Sequence, residues 1–206
     1  AVKLILFLVV DQLELEKHDF VVGFIGALSQ DRGLVQLIES MSYIKNPHIR
    51  LLVMGGPENM MKQLKYTANI VGVRNRVIFH KSVPYRESYK YFAALDVGTI
   101  PYQPTQLNHW FTIPNKIFDY MLLGIPMIVS FFPEYKEIVV KNCKCGLAVD
   151  TREPLEIAKA IEYLYNHPEV LKEMQKSSCD CSQKYAWKTQ AKKLLEIYDY
   201  LKPKQS

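Results

Sequence analysis

Phe20-Val-Val-Gly-Phe-Ile25, closed by Gly26, is a short apolar run without polar alternation, and Ile49-Arg-Leu-Leu-Val-Met54, closed by Gly55-Gly56, repeats the pattern. Runs of this kind are strands covered on both faces. Between them Leu34, Leu37, Ile38, Met41 and Ile44 recur at helical spacing. Strand, helix and strand in that order make a βαβ unit, whose strands lie parallel.

The same alternation extends from this unit toward the carboxyl terminus. A helix is expected from Glu58 to Ile70, a strand at Val77–Phe79, a helix from Arg86 to Ala94, and a strand at Val97–Ile100 ended by Pro101. An irregular stretch follows, then a helix from Pro114 to Leu123 ended by Gly124. Strands at Pro126–Val129 and Gly146–Val149 come next, before helices at Pro154–Asn166, Pro168–Ser177 and Trp187–Leu201. The expectation is an α/β, Rossmann-like domain over residues 19–201: a parallel sheet flanked by helices, with extra carboxyl-terminal helices and a tail at 202–206. The first eighteen residues fit the alternation poorly and read as an upstream remnant. Ligands of such sheets bind beyond the carboxyl ends of the strands, which directs attention to the loops at 26–33, 55–58, 81–85 and 101–114.

Composition agrees. At 206 residues, 49% hydrophobic and 23% charged, the chain is ordinary globular protein, which excludes disorder and collagen-like repeats. A domain of this size buries enough surface to need no disulfide or metal staple. The apolar run from Leu4 to Val10 lacks a cleavage site and is too short for a membrane span. A reducing, cytoplasmic setting is expected, so Cys143, Cys145, Cys179 and Cys181 read as buried free thiols. The two Cys-x-Cys pairs are too closely spaced for a structural zinc site.

The net charge of +5 is unevenly placed. Nine basic residues lie between Met41 and Phe92 against Glu58 and Glu87 alone, so this segment is net +7 and the rest is net −2. That suits a phosphate-bearing ligand or a peripheral contact with an anionic membrane. The bland alternative is a set of solvated helix faces. Nucleic acid is unsupported, since no recognition motif accompanies the charge.

Two loops carry candidate chemistry. Gly26-Ala-Leu-Ser-Gln-Asp-Arg32-Gly33 joins a strand to a helix, and a helix N-terminus beside an arginine favours an anion. In Pro114-Asn-Lys116-Ile-Phe-Asp119, Asn115, Lys116 and Asp119 share one helix face. A cation in a first helical turn is locally unfavourable, which calls for an anionic partner. Asp119 can accept hydrogen bonds from vicinal hydroxyls, such as a ribose offers. An ordinary intrahelical Lys116–Asp119 pair is the competing reading. His80 and His109 read as satisfied polar residues, neither having an obvious carboxylate orienter. Trp110 and Phe111 would pack on a ligand or pin the long loop.

The order of these motifs resembles the C-terminal, nucleotide-sugar-binding domain of GT-B glycosyltransferases, of the retaining group 1 family. The resemblance runs from Asp11 to Leu201 and rests on Val-Gly-Phe-Ile-Gly26 with Arg32-Gly33, Leu-Leu-Val-Met-Gly55-Gly56, Val77-Ile-Phe, Val83-Pro84-Tyr85, Tyr91-Phe-Ala-Ala-Leu-Asp96-Val, Pro114-Asn-Lys-Ile-Phe-Asp-Tyr-Met-Leu-Leu-Gly124-Ile-Pro126 and Cys145-Gly146-Leu-Ala-Val. Val9-Val10-Asp11 resembles the end of an interdomain linker. The resemblance implies one half of a GT-B architecture, transferring a sugar to a glycan or lipid-linked acceptor with retention. Arg32 and Lys116 would be catalytic, meeting the pyrophosphate. Gly26, Ala27, Gly55, Gly56 and Asn115 would bind the donor, with Val83, Pro84 and Tyr85 by the base and Asp119 on the ribose. No cofactor or metal is implied. A partner N-terminal domain, in cis or trans, would hold the acceptor, so the chain alone would be inactive or a non-catalytic donor-binding subunit. The sequence departs from the family where a basic residue usually follows the first glycine, since Ala27 stands there. The family's paired glutamates map onto Phe111 and Asp119, so one carboxylate is lost and the other shortened.

Overall fold

The computed structural model describes residues 11–201, so the run from Leu4 to Val10, the linker residues before Asp11 and the 202–206 tail lie outside it. Six parallel strands form one sheet: β1 (Phe20–Ile25), β2 (Ile49–Gly55), β3 (Val77–Lys81), β4 (Val97–Ile100), β5 (Met127–Ser130) and β6 (Gly146–Val149), in spatial order β3-β2-β1-β4-β5-β6. Both apolar runs quoted first are buried almost throughout. They pair in register from Phe20 opposite Ile49 to Ile25 opposite Met54. Strand order reverses between β1 and β4, which makes their carboxyl ends the crevice of the sheet.

The helices are α1 (Leu34–Tyr43), α2 (Glu58–Ile70), α3 (Tyr85–Phe92), α4 (Leu107–Phe111), α5 (Asn115–Leu122), α6 (Pro133–Tyr135, continuing as a π-helical segment Lys136–Asn142), α7 (Pro154–Asn166), α8 (Pro168–Tyr185) and α9 (Trp187–Leu201). Helix α5 is pinned to the sheet by Tyr120. Its ring lies where a Cβ on Gly98 would stand, and its hydroxyl donates toward the Gly23 and Thr99 carbonyls. Leu13, ahead of β1, is buried in the same core, so part of the awkward leader packs on the domain.

Four expectations need correction. The stretch 101–114 holds the one-turn helix α4, and α6 with its π-helical extension stands between β5 and β6, where no element was expected. Helix α8 runs to Tyr185 rather than Ser177. The cysteines are not four buried free thiols. Cys143 and Cys181 form a disulfide across 38 residues, which ties α8 to the turn before β6. Cys145 is a buried thiol pushed up to about 12 by burial, while Cys179 is exposed.

Much of the basic segment serves the fold. The Arg76 guanidinium donates to the Met41 and Ile44 carbonyls at the end of α1. Arg50 pairs with Asp19, Lys62 with Glu58 and Lys90 with Glu87, and Arg74 donates to the Val77 carbonyl. Among the described residues no helix is long and apolar enough to cross a membrane.

Candidate functional site

The carboxyl ends of β1, β2 and β3 and the first turns of α5 enclose a cleft of about 680 Å³, ample for a nucleotide-sized ligand. Of the residues singled out in the sequence, Gly26, Ala27, Arg32, Gly55, Gly56, Val83, Tyr85, Asn115, Lys116 and Asp119 line it. Pro84 does not; it caps α3 and faces solvent. Ile25, Met54, Ser82, Ser88, Phe92, Tyr102 and Pro114 complete the wall.

Two glycines set how closely the loops approach. Gly55 has φ +156, and a Cβ there would lie 1.8 Å from the Gly26 carbonyl oxygen. At Gly26, φ +143, an added Cβ would lie against the Lys116 amine. The missing side chain therefore makes the room in which Lys116 sits.

Lys116 rises from the first turn of α5 with its Nζ 4.6 Å from the centroid of Phe24. Burial is the main reason its amine is pushed down to about 8; the positive charge of Arg32 adds to this and Asp119 opposes it. Among the described residues no ion pair joins Lys116 to Asp119, so the intrahelical pair allowed by their spacing is not formed. Arg32 is held from behind by Tyr102: its Nη1 donates to the phenol oxygen at 3.0 Å and its guanidinium carbon lies 5.1 Å from the ring centroid.

His109 corrects a further expectation. Its Nε2 lies 3.2 Å from Asp31 Oδ2 and its Nδ1 2.9 Å from the Gln103 carbonyl, so it does have a carboxylate orienter. It braces the residue before Arg32 against the loop after β4. His80 points elsewhere, to the Lys81 carbonyl and the Tyr91 hydroxyl. Trp110 stacks among Phe131 and Phe132 and pins the loop, while Phe111 is exposed.

Asp119 is buried at the cleft wall, and its Oδ1 meets two phenols: Tyr85 donates at 2.6 Å and Tyr89 lies at 3.0 Å. Tyr85 therefore turns toward α5 across the cleft. Tyr89, Tyr102 and Asp31 are site residues that sequence reasoning passed over. Only Tyr102 carried a signal, by standing just after a strand at the ligand-binding edge.

Glu16, Asp19 and His48 could gather a cation by proximity. They stand at the amino ends of β1 and β2, away from the cleft, and Asp19 is already engaged by Arg50.

The family model described as glycosyl transferases group 1 matches residues 19–167. The chain belongs to this family. A D-inositol 3-phosphate glycosyltransferase of Corynebacterium urealyticum is 26% identical over 186 residues, covering 86% of this chain and 42% of the relative. The crystal structure of Anabaena Alr3699/HepE in complex with UDP superposes with a TM-score of 0.82 at 20% identity, over 96% of this chain and 53% of that one. The C-terminal domain of the group 1 glycosyl transferase LpcC from Francisella tularensis is matched over 90% of its own length and 85% of this chain, with a TM-score of 0.67 at 18% identity. The fold of this group 1 glycosyl transferase is thus one Rossmann-like half of a GT-B architecture, and the chain spans about half the length of the longer relatives.

Proposed function

We propose that this chain is the donor-binding half of a glycosyltransferase, taking a nucleoside diphosphate sugar in the cleft and using Arg32 and Lys116 against its diphosphate. One observation carries this: Lys116 is a cation in the first turn of a helix, largely buried, beside a second cation and without an ion-pair partner among the described residues. Burial and the positive helix end both disfavour that charge, and a bound anion relieves both. As the glycosidic bond to the diphosphate breaks, negative charge grows on the leaving oxygens. Prepositioned cations then stabilise the transition state more than the ground state.

The remaining wall suits the rest of such a donor. Asp119 accepts from ribose hydroxyls, Val83 and Tyr85 flank the base, and Gly26, Ala27, Gly55, Gly56 and Asn115 allow close backbone approach. The complexes of Anabaena Alr3699/HepE with UDP and with UDP-glucose support this reading. The transferred group is a hexosyl unit, passed with retention to a glycan or lipid-linked acceptor held by a second domain in cis or trans, and no metal takes part. A separate reading is a non-catalytic donor-binding subunit completed by a separate acceptor-binding chain.

Calorimetry with UDP, GDP and ADP and their sugar forms tests the proposal. At least one is expected to bind in the micromolar to low millimolar range, equally well after chelation of metals. Silence toward all of them at millimolar ligand would overturn it.

A further inference from the structure

Asp119 is not alone in its corner of the cleft. Tyr85 and Tyr89 lie one helical turn apart on α3, their hydroxyls 2.7 Å from each other, and both reach Oδ1 of Asp119 on α5. Proton counting orders the three groups. A phenol oxygen 2.6 Å from a carboxylate oxygen needs a proton between them, so Tyr85 donates to Asp119. The Tyr85–Tyr89 contact needs the other proton, which Tyr89 supplies while also facing Oδ1. Tyr85 is 61% exposed, so core packing does not hold its ring; Asp119 and Tyr89 do. The carboxylate and Tyr89 push the Tyr85 phenol up, which keeps it a donor at neutral pH. Oδ2 of Asp119 has no hydrogen-bond partner among the described residues.

We propose that Tyr85 and Tyr89 are positioning residues: a two-phenol relay that occupies Oδ1 of Asp119 and turns Oδ2 toward the ribose of a bound nucleoside diphosphate. The proposal rests on the donor-site reading above and adds to it that recognition of the ribose hydroxyls depends on α3 as well as on α5. A carboxylate with both oxygens free can rotate about its last bond and meet a diol in several geometries. With Oδ1 tied to another helix, a single oxygen is left in a fixed direction, and removing the relay returns that freedom.

The test is calorimetry on the 206-residue chain with UDP, 2′,3′-dideoxy-UDP and inorganic pyrophosphate, in the wild type and in Tyr85→Phe, Tyr89→Phe and Asp119→Asn. Phenylalanine keeps the rings and deletes only the hydroxyls. Tyr85→Phe should lower the UDP to dideoxy-UDP affinity ratio about fivefold, with Tyr89→Phe weaker in the same direction and pyrophosphate unchanged. On the Asp119→Asn background both tyrosine changes should leave the ratio where it is. A merely structural role would lower all three ligands together or none. An unchanged ratio with UDP still bound would overturn the relay and leave the donor site standing. A rise in UDP affinity in Tyr85→Phe would also overturn it, by showing that the phenol competes with the ribose. Failure of wild type to bind either UDP or pyrophosphate would overturn relay and donor site together.

Discussion

Raising the pH from 7 to 9 should loosen the hold of this chain on a nucleoside diphosphate through Lys116 alone. With its amine at about 8 in the free protein, roughly nine-tenths of it is charged at pH 7 and about one-tenth at pH 9. If the bound state keeps the charge, affinity falls about tenfold over that interval, near 1.3 kcal/mol. The ligand's own phosphate has its second pKa at about 6, so it is roughly nine-tenths deprotonated at pH 7 and changes little across the window. Of the groups facing the cleft beside the amine, Phe24 does not titrate and the Tyr85 phenol is held protonated above the window. Calorimetry with UDP at half-unit steps, in buffers of different ionisation enthalpy, reads both the affinity and the proton taken up on binding. Lys116→Met should flatten the profile, at an affinity below that of wild type at pH 9. The stability of the free chain should move the opposite way. The unfolded amine binds its proton near 10.5 and the folded one near 8, so between these values the unfolded state carries more protons and stability rises with pH. A flat wild-type affinity profile, or a slope that survives in Lys116→Met, would refute the reasoning.

Asp119→Ala should weaken nucleoside diphosphate binding by about 1.5–3 kcal/mol, the range for hydrogen bonds to a charged group, and equal losses from a dideoxy analogue on wild type and mutant would reduce Asp119 to a helix residue. Reduction, or Cys143→Ser, opens a 38-residue loop and should lower stability by up to about 4 kcal/mol, read as a drop in melting temperature that Cys179→Ser does not share. The purified chain should not transfer sugar to any of a panel of lipid-linked and free glycan acceptors, since positioning supplies roughly 7–11 kcal/mol of barrier lowering and this chain presents one wall of the cleft. Multiple-turnover product seen by mass spectrometry would overturn that expectation, and transfer should return only when an N-terminal acceptor-binding domain is supplied in cis or in trans.

The layout of the sheet was legible because its signals are local. Apolar runs such as Phe20–Ile25 announce buried parallel strands, and Pro114 and Gly124 bracket α5 at the places where each residue is tolerated. The unpaired state of Lys116 was half legible: its place in a first helical turn asks for an anion, but spacing alone allowed Asp119 to be that anion. What escaped was what depends on distance in space. Tyr85 and Tyr89 meet Asp119 from 34 and 30 residues away, and Asp31 meets His109 across a different pair of loops. Cys143 finds Cys181 rather than its neighbour Cys145, because α8 folds back over the turn before β6. Residues 136–142 escaped for another reason, since a π-helical segment does not keep the 3.6-residue period by which helices are read.

The contact of Lys116 with Gly26 makes positions 26 and 116 a single unit of inheritance. An alanine at 26 meets the amine and also strains the backbone at φ +143, so it disturbs the turn after β1 and the place of the cation together. A shorter or uncharged residue at 116 removes the crowding at 26, while the backbone at φ +143 still favours glycine there. Among descendants of this chain, then, a side chain at 26 is a marker of donor chemistry already abandoned or rebuilt. Libraries meant to retune the cleft have to vary the two positions as a pair.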